Sequence, residues 1–219
     1  MTSSKEYSYF YLLSIFHVGS VLIGMTLTAR MILISTKHPF YITGGIFFIP
    51  VVFFIQDIVT EVYGYYNARK MLHATLIVFV LYVFSLYFID LISFPQNISA
   101  FQGLPLIIET LPKHAFSFVL SLAVGGTLNN YILTKLKLAF NSRFLAMRFI
   151  SSTAIGEAIF QFIAVALSWY GTYSIKEILP LAVASYVYKL LFEILATPLN
   201  IKICHYLKFS KNQESIHAI

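Results

Sequence analysis

Two carboxylates, Asp57 and Glu61, stand four residues apart at the end of an apolar stretch that runs from Ile46 to Ile55. On a helix that spacing puts both on one face. The chemistry open to them there is the acceptance of hydrogen bonds and the carrying of a proton. An acidic group at the centre of a membrane span costs roughly 2.5 to 3.5 kcal/mol on insertion scales, so such groups face a polar cavity rather than lipid. Pro50, just upstream, is expected to kink the helix and free backbone groups around that cavity. The competing structural role is for Glu61 to reach the interface and neutralise Arg69 or Lys70.

Three further constellations lie inside apolar runs. Gly125, Gly126, Asn129 and Asn130 mix small residues, which let helices approach closely, with amides that donate and accept hydrogen bonds. Adjacent asparagines point about 100° apart on a helix, so one of the two can face a ligand squarely. After Arg148, Ser152 and Thr153 comes Glu157, about two helical turns further into the span, with Gln161 on its face. Lys189 and Glu193 are again four apart and can pair with each other, although lysine first is the weaker order for such a pair. Lys189 is also the interior cation that could tie up Glu157 in a purely structural pair. The candidate binding site is therefore Asp57, Glu61, Asn129, Glu157, Lys189 and Glu193.

Composition narrows what these groups can belong to. Of 219 residues, 58% are hydrophobic and only 11% charged, with a mean hydropathy of +0.79, whereas a soluble domain carries charge on about a quarter of its residues. A span consumes about 20 apolar residues, so six or seven crossings use up the chain and leave no room for an ATPase or an extramembrane enzyme domain. The one cysteine, Cys204, excludes an intramolecular disulfide and a cysteine-based metal cluster. A phosphate-binding glycine loop and a His-Glu-x-x-His motif are both missing, and the histidines are scattered, mostly near span ends. No nucleophile and base fall in register, so no enzyme, cofactor or metal is expected. The net charge of +6 suits a membrane surface and needs no nucleic acid.

Six spans are expected, near 10–34, 41–62, 71–92, 114–136, 149–170 and 178–206, as an all-α polytopic bundle in one transmembrane domain over 1–219. The segment 93–113, with Pro95, Asn97, Gly103, Pro105 and Pro112, is expected to be a loop with a partly immersed stretch at 104–111. The N-terminal stretch lacks a secretory signal's short hydrophobic core and cleavage site, so the first span is expected to stay. Lys5, Arg69, Lys70, Lys135, Lys137, Arg143, Arg148, Lys202, Lys208 and Lys211 fall on one side of such a bundle, against Arg30, Lys37, Lys113 and Lys176 on the other. The positive-inside rule then puts both termini in the cytoplasm.

The run 56–70, with its Asp-x-x-x-Glu-x-Tyr-Gly and Ala-Arg-Lys, resembles the second-span signature of the queuosine precursor transporters, six-span proteins of the vitamin uptake transporter group. The likeness continues at Arg148 with Ser152, Thr153, Gly156 and Glu157, and at Tyr188 and Lys189 followed by Thr197, Pro198 and Leu199. The chain departs from the pattern where acidic residues are expected in the fourth span and one turn after Glu157; Asn129 or Asn130 and Phe160 or Gln161 stand there.

The resemblance implies a multi-pass protein of the bacterial inner membrane that imports a 7-deazaguanine: 7-cyano-7-deazaguanine, 7-aminomethyl-7-deazaguanine or queuine, for queuosine in transfer RNA. A carboxylate, Glu157 or Asp57, would accept the two adjacent N–H donors of the guanine-like edge, while Lys189 would hold a pocket carboxylate or meet the carbonyl. Facilitated diffusion and proton coupling both stay open, as do a homodimer and an energising partner. The alternative is a binding subunit similar to those of energy-coupling-factor importers, docking ATPase partners through Ser20, Gly24 and Thr28 on the first span. A third reading is an assembly protein whose charges only pair with each other.

Overall fold

Where lipid offers no hydrogen bonds, an apolar run must close its backbone bonds within itself, and this chain does so as helices. The structure, a computed structural model, describes residues 4–28, 31–35, 40–92, 103–169, 171 and 174–217. Its helices are α1 (Ser4–Thr28), α2 (Ile49–Tyr63), α3 (Tyr65–Asp90), α4 (Gly103–Ala139), α5 (Leu145–Trp169) and α6 (Ile175–His217). With the short 3-10 turn that leads into α2, they supply six stretches long and apolar enough to cross a membrane. The fold is all-α, as expected, with one small addition.

That addition is a hairpin. The first span ends at Thr28, and residues expected to prolong it form strand β1 (Met31–Ser35), antiparallel to β2 (Phe40–Thr43). Met31 stands opposite Thr43, and the register shifts between Leu33 and Ser35. Hydropathy alone cannot tell these residues from a span, but Ile32, Ile34, Tyr41, Ile42 and Thr43 are the β-branched and aromatic types that suit a strand.

Two other expectations are corrected. Pro50 falls in the first turn of α2, where its missing N–H costs nothing, so it starts that helix rather than kinking it. The stretch 104–111, expected as a partly immersed piece of a loop, is part of α4, which begins at Gly103. Pro105 lies in that helix's first turn. Residues 93–102, the rest of the expected loop, lie outside the described residues.

Helix α2 runs through the centre, buried along most of its length. Around its first half pack Val21 and Met25 of α1, Phe79 of α3, Phe118 and Leu122 of α4 and Phe160 of α5. Glycines set the closest approaches. A Cβ on Gly125 of α4 would lie 2.8 Å from the carbonyl oxygen of Gly156 of α5, and one on Gly156 would lie 2.7 Å from Asn129 Cβ. Gly24 of α1 meets Ile49 of α2 in the same way, at 2.9 Å. Gly24, one of the three residues through which the alternative reading would dock a partner, is thus packed within the chain. Tyr9 of α1 and Tyr206 of α6 bring their hydroxyls within 3.3 Å, so the beginning of α1 and the far part of α6 share one end of the bundle, while the hairpin marks the other.

Gly64 is the whole connection between α2 and α3, at φ +85° and ψ 166°. Side chains are rarely tolerated there, at a cost of about 1–3 kcal/mol. A Cβ would meet no neighbour, so Gly64→Ala isolates that cost. It is expected to lower stability by that amount in a thermal unfolding experiment in detergent, and an unchanged Tm would show the connection to be unstrained.

Candidate functional site

From Lys189 onward, α6 buries Lys189, Glu193, Thr197, Asn200, Cys204 and Leu207, while Leu191, Leu195 and Leu199 are exposed. The spacing is that of one helix face. Most of that inward face is polar, the reverse of a soluble amphipathic helix, because lipid takes the apolar side. Helix α5 does the same with Arg148, Ser152, Thr153 and Glu157, and α2 with Gln56, Asp57, Thr60 and Glu61. Asn129 and Asn130 face them from α4. These side chains form a polar column along the bundle.

At the end shared with the termini, the column closes on Glu61. Its Oε2 accepts from Arg148 Nη1 at 2.7 Å, and its Oε1 takes Lys208 Nζ. Lys137 Nζ donates to the Glu61 backbone carbonyl at 2.8 Å and lies 3.4 Å from Oε1. The Arg148 guanidinium is fully buried, and its remaining nitrogens donate to the carbonyls of Arg143 and Ser142, at 3.0 and 3.3 Å. That turn between α4 and α5 carries Asn141, Ser142 and Phe144 at positive φ, a strained backbone of the kind that persists only where its surroundings fix it.

One turn further in, Asp57 Oδ1 accepts from Asn129 Nδ2 at 2.6 Å and Oδ2 from the Thr153 hydroxyl at 3.1 Å. Thr60 lies 2.9 Å from Asn130 Oδ1, so both asparagines turn toward α2 at successive turns. Gln56 Nε2 donates to the carbonyl of Gly126 at 2.9 Å, fitting the gap that glycine leaves.

Beyond Asp57, Lys189 Nζ donates to Glu157 Oε2 at 2.8 Å and to Gln161 Oε1 at 3.0 Å, and sits 4.3 Å over the Phe160 ring. Lys189 thus pairs across helices and not with Glu193 on its own. Above it opens a cavity of about 110 Å³, with Lys189, Gln161 and Phe160 toward the bundle and Thr28, Trp169 and Leu181 toward the hairpin end. Of the six residues singled out from sequence, only Lys189 lines this cavity. Asp57, Asn129, Glu157 and Glu193 are buried within the column, and Glu61 is at its far end.

Sequence reasoning overlooked several members. Arg148 was read as the start of a span, yet it is the cation that Glu61 holds; its place one residue before an apolar run gave no hint of burial. His17, taken with the scattered histidines, is buried mid-helix in α1 with Nδ1 2.7 Å from the Thr75 hydroxyl of α3. Asn200 was a legible signal, an amide one turn beyond Thr197 on the face of Glu193.

Residues 43–203 match the family model described as "Putative vitamin uptake transporter". The chain belongs to that family, and it is a multi-pass membrane protein. No curated protein and no solved structure matches it.

The Glu157 and Lys189 pair is buried on both sides, 1% and 5% exposed. Removing one partner of such a pair leaves an uncompensated charge and costs about 3–5 kcal/mol. Lys189→Met is expected to destabilise the protein on that scale, and adding Glu157→Gln to recover most of the loss, read as Tm in detergent. Failure of the second change to restore stability would show that the two charges are not coupled.

Proposed function

We propose that the protein imports a 7-deazaguanine queuosine precursor across the bacterial inner membrane, with both termini cytoplasmic and the cavity facing outward. The family match gives uptake of a vitamin-type compound; the class of compound is the one that the resemblance to the queuosine precursor transporters implies, and the column is compatible with it. The observation that supports it is a set of buried acceptor oxygens with no donor, Asn129 Oδ1, Glu157 Oε1 and Glu193 Oε1, on inward faces of α4, α5 and α6. A buried acceptor left unmatched costs about 1–3 kcal/mol. A ligand rich in N–H groups removes that cost.

A guanine-like edge has adjacent N–H donors that a carboxylate accepts together. Glu157 is the favoured acceptor, because one of its oxygens is held by Lys189 while the other is unmatched. Lys189 and Gln161 meet the ligand first, at the cavity floor, and Phe160 lies there as a flat apolar surface, edge-on to Phe118 at 5.7 Å. The cavity's 110 Å³ or so falls short of the roughly 300 Å³ at which ligand pockets begin. Entry of a bicyclic base therefore requires the helices to part, as alternating access demands.

Uptake of labelled 7-deazaguanines into proteoliposomes tests this. Purified protein is expected to move them unaided. Glu157→Gln, which loses a charge-assisted hydrogen bond worth about 1.5–3 kcal/mol, is expected to weaken half-saturation roughly 10- to 100-fold. Wild-type rates in both Glu157→Gln and Asp57→Asn would refute the site.

A further inference from the structure

We propose that Glu193 is a proton-binding site, loaded from the cavity side and emptied toward the Glu61 end, through which uptake draws on a proton gradient. The coupling rests on the import reading above; the proton site itself does not.

The argument starts from which charges are matched. Glu61 has Arg148, Lys208 and Lys137, and Glu157 has Lys189. Among the described residues, Asp57 and Glu193 have no ion-pair partner, although they are 0% and 1% exposed. Both lie on the inward faces that form the column, as does Glu157. Three acids thus share one cation, Lys189. Two uncompensated negative charges in so dry an interior cost far more than taking up a proton.

Hydrogen bonds decide where that proton sits. Asp57 accepts one on each oxygen, from Asn129 and Thr153, which stabilises it as an anion. Glu193 Oε1 accepts none. The Thr197 hydroxyl, one turn away, donates to the Glu193 backbone carbonyl at 2.7 Å. Sharing the buried column with Glu193 are Asp57 of α2 and Glu157 of α5, both acidic, with the Asn129 amide of α4 committed to Asp57. Lys189 on its own helix is committed to Glu157. A neutral acid satisfies this setting, and its O–H can be donated.

The position fits a carrier of protons between two sides. Glu193 lies on α6 one turn inside Lys189, which lines the cavity, and Asn200 continues its face toward Lys208, with both amide atoms buried and unmatched. Pro198 withholds the N–H that would bond the carbonyl of Ile194, so α6 lacks one backbone bond beside this acid.

Infrared spectroscopy of the purified protein at neutral pH, with hydrogen–deuterium exchange, reads a protonated carboxyl directly. One such band is expected, lost in Glu193→Gln and retained in Glu157→Gln. Should Glu193→Gln fail to fold, Glu193→Asp is expected to shift the band. In proteoliposomes, acid outside is expected to drive labelled 7-deazaguanine above its external concentration in the wild type, while in Glu193→Gln uptake rates with and without the gradient become equal. No band in the wild type, or a band unchanged by Glu193→Gln, overturns the site. A band with stimulation by sodium alone overturns the coupling. If no 7-deazaguanine moves under either condition, the substrate reading fails, and the band still decides the proton site.

Discussion

Glu61 is where four helices are tied together. Its own helix, α2, is the central one; Arg148 brings α5 to it, Lys208 brings α6 and Lys137 brings α4. Two of those cations keep part of their surface exposed, whereas Arg148 has none, so the cluster grades from the bundle interior to its rim. An isolated buried arginine would be prohibitive. Here every nitrogen of the guanidinium finds an oxygen, one on Glu61 and two on backbone carbonyls of the strained turn before α5. The turn's unusual backbone and the ion pair therefore support each other.

The rest of the polar column follows from the same constraint. In water a protein hides apolar groups, and helices need not be matched polar group to polar group. In lipid the order inverts, and each buried amide, hydroxyl or carboxylate needs a partner, which a hydroxyl can find on its own helix and a carboxylate finds on another. Asp57 with Asn129 and Thr153, and Lys189 with Glu157 and Gln161, meet that demand. Among the described residues the oxygens that do not are Gln56 Oε1 of α2, Asn129 Oδ1 of α4, Glu157 Oε1 of α5, and Glu193 Oε1 and Asn200 Oδ1 of α6. One end of the column is sealed by charge pairs, the cavity lies at the other, and unmatched acceptors stand between.

The spans were legible because lipid fixes their length, so α3, α5 and α6 fall close to where hydropathy alone puts them. Hydropathy failed at β1, where Met31 to Ser35 is as apolar as a helix but is spent on a hairpin, and at 104–111, where Pro105 suggested a break that the first turn of α4 absorbs. In the column, residue types were readable and partners were not. Lys189 could equally have met Glu193 at i+4 or Glu157 on the neighbouring helix; the choice depends on how α5 and α6 are rotated, which no single-helix pattern encodes. For the same reason Arg148 looked like the rim of a span, and His17 like one histidine among several. The glycines carried more than their composition suggested, since the approach of Gly125 to Gly156 sets how near Asn129 comes to α5.

A one-residue connector also limits how the bundle can move. With Gly64 as the only joint between α2 and α3, neither can slide lengthwise past the other by a turn, and any rearrangement of the pair has to pivot at that end. Since the fulcrum sits beside Glu61, small rotations there become large displacements near the hairpin, where the cavity mouth lies.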